Sequence, residues 1–498
     1  MLRSLTALLA MAPLLTGAAP ATSTGDCGAL AEATIPQTTI TSAAEAKTGD
    51  HLYCEVHGVI APQTHFTIKL PPTGWTGQYV QSGCSGLCGQ VPELDVPLFG
   101  LFCEPATDGR LVIAADDSGH TGAVDDGSFG TDPRLRVVFG LTSEHSLAQV
   151  AGRVMRAYYG HGPSHRYFDG CSTGGRQALM LAQRFPDDFD GILAGAPVSN
   201  LGPLSGLFNP WLVLHNTDAT GKQILGPEKL PALHAAVLAK CGDPILDPRL
   251  CDFQPSSLRC RGADTPSCLT KAQVDAVIAF YRGPTDSHGR SLYNGGEPYG
   301  SELGWLGEFV VASGSPLDGM QARLALSYLR YLAYPHNPPA DYSLTDVRFT
   351  KAEFDRLDVV AGAIYNANDP DLSAFHAHGG KLIMYHGWAD PSVPPFSTLD
   401  YYAALKDKTN TRLYLIPGAG HCLFGPRADE PTEAAIPELL TPLMDWVERG
   451  RRPGVIDVPT IKLDGTLLGS QQVRPYRKDP RPAPGSLNAH YDYVGTYS

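Results

Sequence analysis

The 498-residue sequence has no long basic run, and its 38 Lys and Arg are outnumbered by 51 Asp and Glu. A net charge of −13 repels a phosphate backbone, so nucleic acid is excluded as an expected partner. There is no heptad, no collagen-like period and no longer internal repeat, which excludes a coiled coil, a fibre and a solenoid. Gly (53) and Pro (42) are too few for a disordered or low-complexity chain. Beyond the N-terminus no apolar stretch reaches the ~18 residues of a spanning helix, so no membrane span is expected.

What is present is apolar mass: 43% of residues are hydrophobic and 18% charged. At this length a single core is at or beyond its usual limit, and two parts are expected. The first residues read as a signal peptide over 1–21: Arg3 is the positive start, Leu5 to Leu15 the apolar segment and Ala19-Pro20-Ala21 the small-residue cleavage site. The mature chain then starts near Thr22, secreted or periplasmic. Eleven cysteines agree with export, where disulfides persist. Cys84 and Cys88 have a spacing that zinc sites use, but no second pair follows at ribbon or finger distance, and no metal is expected there.

Short apolar runs alternate with helix-period segments, the pattern of an α/β sheet with crossover helices. The strand candidates are Leu111 to Asp116, Tyr167-Phe168, Gly191 to Ala194, Lys381 to Tyr385 and Arg412 to Ile416. Gln177 to Phe185 has a helical stripe ended by Pro186, and a last helix is predicted over Glu433 to Arg449. From about 203 to 370 the rhythm breaks into Pro/Gly-rich connectors, four cysteines and aromatic clusters, which reads as a lid inserted into the sheet domain. The sheet domain is then residues 22–202 and 371–498, the latter ending in a polar tail.

Gly170-Cys171-Ser172-Thr173-Gly174 matches the G-x-S-x-G elbow, in which a tight strand-to-helix turn exposes a serine nucleophile. The flanking strand and helix supply the context the motif requires. Such a serine needs a base oriented by an acid, in the chain order Ser, Asp or Glu, His. Asp390 and His421 satisfy that order, each on a loop just past a strand. Cys171 precedes Ser172 and Cys422 follows His421, so if serine and imidazole meet, their neighbours are placed to form a bridge. Closing so long a loop stabilises by ~5 kcal/mol in the chain-entropy model.

The segments Gly170-Cys-Ser-Thr-Gly-Gly-Arg-Gln177, His386-Gly-Trp-Ala-Asp390 and Gly420-His-Cys422 resemble the Cys-Ser, Asp and His-Cys pattern of the tannase and feruloyl esterase family. Trp75 to Tyr79 leading into Gly83 to Gly89, and Arg184 to Gly191 with Ala194 to Pro197, extend the resemblance over most of the mature chain. It implies an α/β-hydrolase core sheet with an inserted lid, a triad of Ser172, Asp390 and His421, and an oxyanion hole from the N–H groups of Gly86 and Thr173. The implied activity is hydrolysis of small-molecule or polymer-linked esters of aromatic acids through an acyl-enzyme, with no cofactor. The alternatives are a hydrolase of the same fold acting on other esters, lipids or peptides, and a non-catalytic binding protein of that fold. The resemblance also implies the pairs Cys171–Cys422, Cys27–Cys54, Cys241–Cys251 and Cys260–Cys268; of the remaining Cys84, Cys88 and Cys103, the expected pair is Cys88–Cys103. Trp305, Phe309 and Tyr328 are candidates for covering an aromatic acyl group. Two departures stand out. Relatives carry an Asp-rich calcium loop between two lid cysteines, but the stretch from Cys241 to Cys251 keeps only Asp243 and Asp247, stiffened by Pro244 and Pro248. The cysteine pair expected in the C-terminal tail is absent.

Overall fold

The computed structural model describes residues 25–94, 108–425, 433–462, 464–477, 482–488 and 494–495. The expected signal peptide and Cys103 lie outside the described residues. The apolar runs form a nine-stranded sheet in the order β1-β2-β3-β5-β4-β6-β7-β8-β9. Strands β1 (Thr38–Thr48), β2 (His51–Ile60) and β3 (Thr64–Leu70) are an antiparallel meander that joins β5 (Val112–Asp116) antiparallel. From there β4 (Gln78–Ser82), β6 (His165–Cys171), β7 (Gly191–Gly195), β8 (Lys381–Gly387) and β9 (Thr411–Ile416) continue in parallel. Every residue of β5 and β7 is buried, which is why these strands read as unbroken apolar runs rather than as alternation.

The chain leaves β4 towards β5 on one side and returns to β6 on the other, so the order reverses between β4 and β6. A crevice forms at such a switch point, outside the carboxyl ends of the strands. The elbow helix (Thr173–Arg184) starts there, at the end of β6. Its Arg176 is fully buried and donates to the carbonyls of Phe139 (3.1 Å) and Gly140 (2.9 Å), in a π-helical turn over Val138–Thr142. A π turn leaves carbonyls poorly paired, and the guanidinium satisfies them.

Between β7 and β8 no residue joins the main sheet. In this segment Phe280, Trp305 and Phe309 pack with ring centroids 5.0–5.5 Å apart, in a core shared with Leu87, Phe129 and Phe139. Its bridges Cys241–Cys251 and Cys260–Cys268 form as the resemblance implies, as does Cys27–Cys54 in the sheet domain.

The C-terminal region departs from expectation. Glu433–Ala435 is a strand, β10, in a second antiparallel sheet with β11 (Ile456–Lys462) and β12 (Leu467–Val473), and the last helix is confined to Leu440–Arg449. Pro442 explains the shift: it is tolerated in the first turn of the shorter helix but would sit inside a helix begun at Glu433. The tail is held without a disulfide of its own. Buried Asn488 donates to the Glu297 carbonyl (2.8 Å) and accepts from the Tyr299 amide (2.8 Å), while Ala483 N–H donates to the Arg249 carbonyl (2.9 Å). The tail thus closes over the lid.

Candidate active site

Ser172 sits between β6 and the elbow helix with φ 63° and ψ −121°, a conformation costly for a residue with a Cβ and held only when the surroundings over-determine it. They do: its N–H donates to Gly195 O (3.0 Å), and its carbonyl accepts from Arg176 N (3.0 Å) and Val198 N (3.2 Å). A Cβ on Gly170 would come within 2.5 Å of Gly174, so the turn closes only on glycine.

Asp390 follows β8 and is fully buried. One carboxylate oxygen accepts from the N–H groups of Ser392 and Val393 (both 2.9 Å); the other meets His421 Nδ1 at 2.7 Å and His386 Nε2 at 3.2 Å. Burial pushes the carboxyl up, but the adjacent His421 and His386 outweigh it and hold Asp390 well below the usual carboxylate range. For His421 burial disfavours the cation, while Asp390 and then Glu308 favour it, and the balance lies above the ordinary histidine value. Ser172 and His421 line one cavity of about 270 Å³. Among the described residues no hydrogen bond yet joins the serine hydroxyl to the ring, and unliganded sites are often loose at this contact.

Gly86 and Thr173 line the same cavity. Among the described residues neither backbone N–H has a hydrogen-bond acceptor, and the Thr173 hydroxyl donates to the Gly86 carbonyl, tying the two segments together. Gly86 has φ 56°, and a Cβ there would lie 2.4 Å from the Val124 carbonyl oxygen, so this loop can approach only through glycine.

Two disulfides brace these loops. Cys171–Cys422 spans 251 residues, with the Cα atoms 5.8 Å apart, and joins the nucleophile turn to the His421 turn. Cys422 (φ 49°) and Leu423 (φ 68°) both adopt the left-handed conformation, a tight reversal that the bridge anchors. The second brace corrects the expectation for Cys88: its partner is Cys84, with the Cα atoms 5.4 Å apart. Positive φ at Gly86 and Cys88 folds the chain back on itself between them, so the bridge closes around Gly86.

Trp305, Phe309 and Tyr328 do not reach the cavity. All three are fully buried in the lid core, and the Trp305 indole N–H is satisfied internally by Ser301 Oγ (2.9 Å) and Glu297 (3.1 Å). The lid instead presents Asn209, Glu308, Met320, Gln321 and Leu324 to the cavity, facing Leu87, Val124 and Phe424. Glu308 accepts from Ser392 Oγ at 2.6 Å, and Gln321 Nε2 donates to the Pro391 carbonyl at 3.0 Å, so both lid residues grip the Asp390 loop. Burial pushes the Glu308 carboxyl up, against the pull of Ser392 and His421. No local pattern marks these residues in the sequence. His386 was visible inside the His386–Asp390 motif, but its contact with Asp390 emerges only in the fold.

The lid loop offers few free ligands to a calcium ion. Both carboxylate oxygens of Asp247 are taken by Arg249, through its backbone N–H (3.0 Å), Nε (3.0 Å) and Nη2 (2.8 Å), and the guanidinium also reaches the Tyr476 hydroxyl (3.1 Å) and stacks over Trp388. Asp243 is the only other carboxylate between the two cysteines, where calcium needs about 6–8 oxygens. The one metal-spaced group among the described residues, Cys260, Asp264 and Cys268, has its two sulfurs bonded to each other.

The model of the family described as tannase and feruloyl esterase matches residues 47–488. A mono(2-hydroxyethyl) terephthalate hydrolase of Piscinibacter sakaiensis is 32% identical, covering 81% of this chain and 77% of its own; a probable feruloyl esterase B-2 of Aspergillus flavus is 28% identical, covering 80% and 77%. Among solved structures, feruloyl esterase B from Aspergillus oryzae superposes with a TM-score of 0.76 at 22% identity over 90% of this chain and 95% of that one. Tannin acyl hydrolase from Aspergillus niger gives 0.73 at 21% over 92% and 93%. The fold is of the α/β-hydrolase type, and the chain belongs to the tannase and feruloyl esterase family as a carboxylic ester hydrolase.

Proposed function

We propose that this chain is an exported serine esterase that hydrolyses esters of aromatic acids. The observation that carries the reading is the convergence, at one apolar cavity, of the Ser172 elbow, the His421–Asp390 pair and the two unpaired N–H groups of Gly86 and Thr173. Ser172 Oγ attacks the ester carbonyl carbon while His421 Nε2 takes its proton; Asp390 holds Nδ1–H and stabilises the imidazolium. The carbonyl oxygen gains negative charge and is met by the two N–H groups, donors fixed before the reaction begins. Collapse of the tetrahedral intermediate breaks the bond to the alcohol, which leaves with the proton from His421. Water, deprotonated by the same imidazole, then releases the acid and restores Ser172.

Export is supported by the five disulfide pairs. Aromatic acyl groups are supported by the apolar lining of Leu87, Val124, Val198, Leu201 and Leu324 and by a volume near the lower end of ligand pockets. Relatives named as a mono(2-hydroxyethyl) terephthalate hydrolase and a probable feruloyl esterase point the same way.

The test is turnover of methyl gallate, methyl ferulate and mono(2-hydroxyethyl) terephthalate beside a long-chain acyl glycerol and a peptide. Hydrolysis of at least one aromatic ester with kcat/KM well above the lipid and peptide is expected. Faster turnover of the lipid or the peptide overturns the aromatic assignment.

A further inference from the structure

A second cavity lies at the other end of the strands. Ser172, Asp390 and His421 follow the carboxyl ends of β6, β8 and β9, whereas Lys381 opens β8 and Arg412 stands at the amino end of β9. Residues 475–477 of the tail run along the outer edge of β9, where the Tyr476 N–H donates to the Leu413 carbonyl (2.7 Å). This tail segment, the helix Phe396–Ala404, the start of β9 and residues 452–454 line a cavity of about 620 Å³. Its apolar lining is Leu399, Ala403 and Pro475 with the rings of Tyr402 and Tyr476, set edge to face with centroids 6.2 Å apart. Its charged lining is Lys408, Arg412, Arg452 and Arg477, and among the described residues no Asp or Glu joins them. Arg452 and Arg477 are exposed, Lys408 and Arg412 half-buried.

These cations are held in place by groups that carry no charge. Lys408 Nζ donates to the carbonyls of Ala403 (3.0 Å) and Leu405 (2.8 Å), Arg452 Nη2 to that of Thr409 (2.7 Å), and Arg412 to those of Thr411 (2.9 Å) and Pro453 (3.3 Å). Lys381, Arg412 and Arg452 lie 5.5–6.0 Å from the Trp446 ring centre. Carbonyls and aromatic faces orient a cation without neutralising it. The carboxylates nearest in the chain are engaged elsewhere: Asp407 accepts from the Thr409 N–H (2.8 Å), Asp445 pairs with Arg449 and Arg451, and Glu448 accepts from Gln78 and Tyr167. Burial, with Arg452 adding to it, holds the Lys381 amine below the ordinary lysine value. In a chain of net charge −13 the cavity is thus a pocket of uncompensated positive charge, and like charges so gathered repel until an anion joins them.

We propose that this cavity binds a polycarboxylate, an anion with two or more carboxylates on one carbon skeleton. The guanidinium forks of Arg412 and Arg452 match planar carboxylates, Lys408 and Arg477 add charge, and Leu399, Tyr402 and Tyr476 meet the skeleton. A single inorganic ion would leave most of the volume and the whole apolar lining unused. A long chain of high charge density is opposed by the net charge of the protein. The carboxylates belong either to a small free acid or to neighbouring uronate rings of an acidic sugar chain, and the shared chemistry is closely spaced carboxylates on carbon. The two cavities have no lining residue in common, so the ligand is held away from Ser172 and the proposal stands apart from the esterase reading.

The experiment is calorimetry on the full-length protein with citrate, trigalacturonate, inorganic phosphate and the neutral sugar maltotriose. Citrate or trigalacturonate is expected to bind about tenfold tighter than phosphate, with maltotriose not bound, and the tighter of the two names the source. Because the cations are partly in solvent, raising the salt from about 0.02 to about 0.3 M should weaken binding about tenfold. Arg452→Gln should weaken it about tenfold as well, by removing a charge and a fork while keeping the length of the side chain. Arg477→Gln, on the exposed tail segment, gives the same reading should Arg452→Gln fail to fold. Both variants are expected to keep wild-type circular dichroism and the wild-type rate on whichever ester the protein hydrolyses, which separates a lost binding site from a damaged fold. The proposal is overturned if neither polycarboxylate binds, if phosphate or maltotriose binds as tightly, or if the folded variants and the high-salt protein bind as well as the wild type at low salt. Failure of the esterase reading looks different: no ester is turned over, while the calorimetric ratios still report this cavity.

Discussion

At the strand ends, Ser172, Asp390 and His421 stand on short loops fixed by strand pairing on one side and by the Cys171–Cys422 bridge on the other. The lid side of the same cavity is assembled differently: Asn209, Glu308 and Gln321 come from three separate segments, and Glu308 and Gln321 are joined to the Asp390 loop by hydrogen bonds to Ser392 and Pro391. Covalent and strand-end constraints fix these three side chains at the strand ends, and catalysis is sensitive to displacements of about 1 Å. Hydrogen bonds and packing suffice for the wall that selects substrate. The reacting centre is therefore expected to tolerate almost no change, and the lid to tolerate change that alters preference rather than chemistry.

The sharpest way to break that comparison is Ser172→Ala, expected to lower kcat by about four to six orders of magnitude with circular dichroism unchanged. A variant keeping a tenth of wild-type activity would place the nucleophile elsewhere. Next in size, Trp305→Ala should cost about 3–5 kcal/mol of stability in denaturant unfolding. It should leave KM near wild type in the molecules that remain folded, because the indole packs against Phe280 and Phe309 and not against the cavity. A large KM change with unchanged stability would return Trp305 to the substrate wall. Replacing both Cys171 and Cys422 by Ala should cost on the order of 100-fold in kcat, since a shift of about 1 Å at the base suffices for that. Peptide mapping without reductant should find the two cysteines linked in the wild-type protein. The smallest expected effect is a null one: the melting temperature should be the same in excess EDTA and in millimolar calcium, because an ion bound only by the native state must raise it. A rise of several degrees with stoichiometric metal would show that the shortened loop still wraps an ion despite the Asp247–Arg249 pair.

The same contrast explains what could be read from the amino-acid order. The strands around β6 to β9, the elbow and the Asp390 and His421 loops each carry a local mark: an apolar run, a glycine-spaced turn, a polar residue just past a strand. Trp305, Phe309 and Tyr328 were misplaced because an aromatic residue in a lid has no local mark that separates core from cavity wall, and only the fold shows the indole N–H satisfied internally. Glu308 and Gln321 carry no local mark for the converse reason, since each looks like an ordinary polar residue until the Gln321 amide meets the Glu308 carbonyl. Cys84–Cys88 turned on two positive-φ residues that bend the loop. The last helix, expected from Glu433, starts only at Leu440, because Glu433–Ala435 pairs with β11 and Pro442 is tolerated only in a first turn.

The central claim is that Ser172 is activated by His421 held on Asp390, and the rate at which a fluorophosphonate labels the protein across pH tests it most directly. His421 is held above the ordinary histidine value of about 6.5 by Asp390 and Glu308. A protonated imidazole cannot accept the serine proton, so labelling should be complete above that raised value and lost as pH falls through it. The expected result is one adduct per chain, on the peptide holding Ser172, with a single pH midpoint above that of a free histidine and with labelling abolished by His421→Ala. An active protein that labels on another residue, or labels on Ser172 at a rate indifferent to pH and to His421→Ala, would contradict the account.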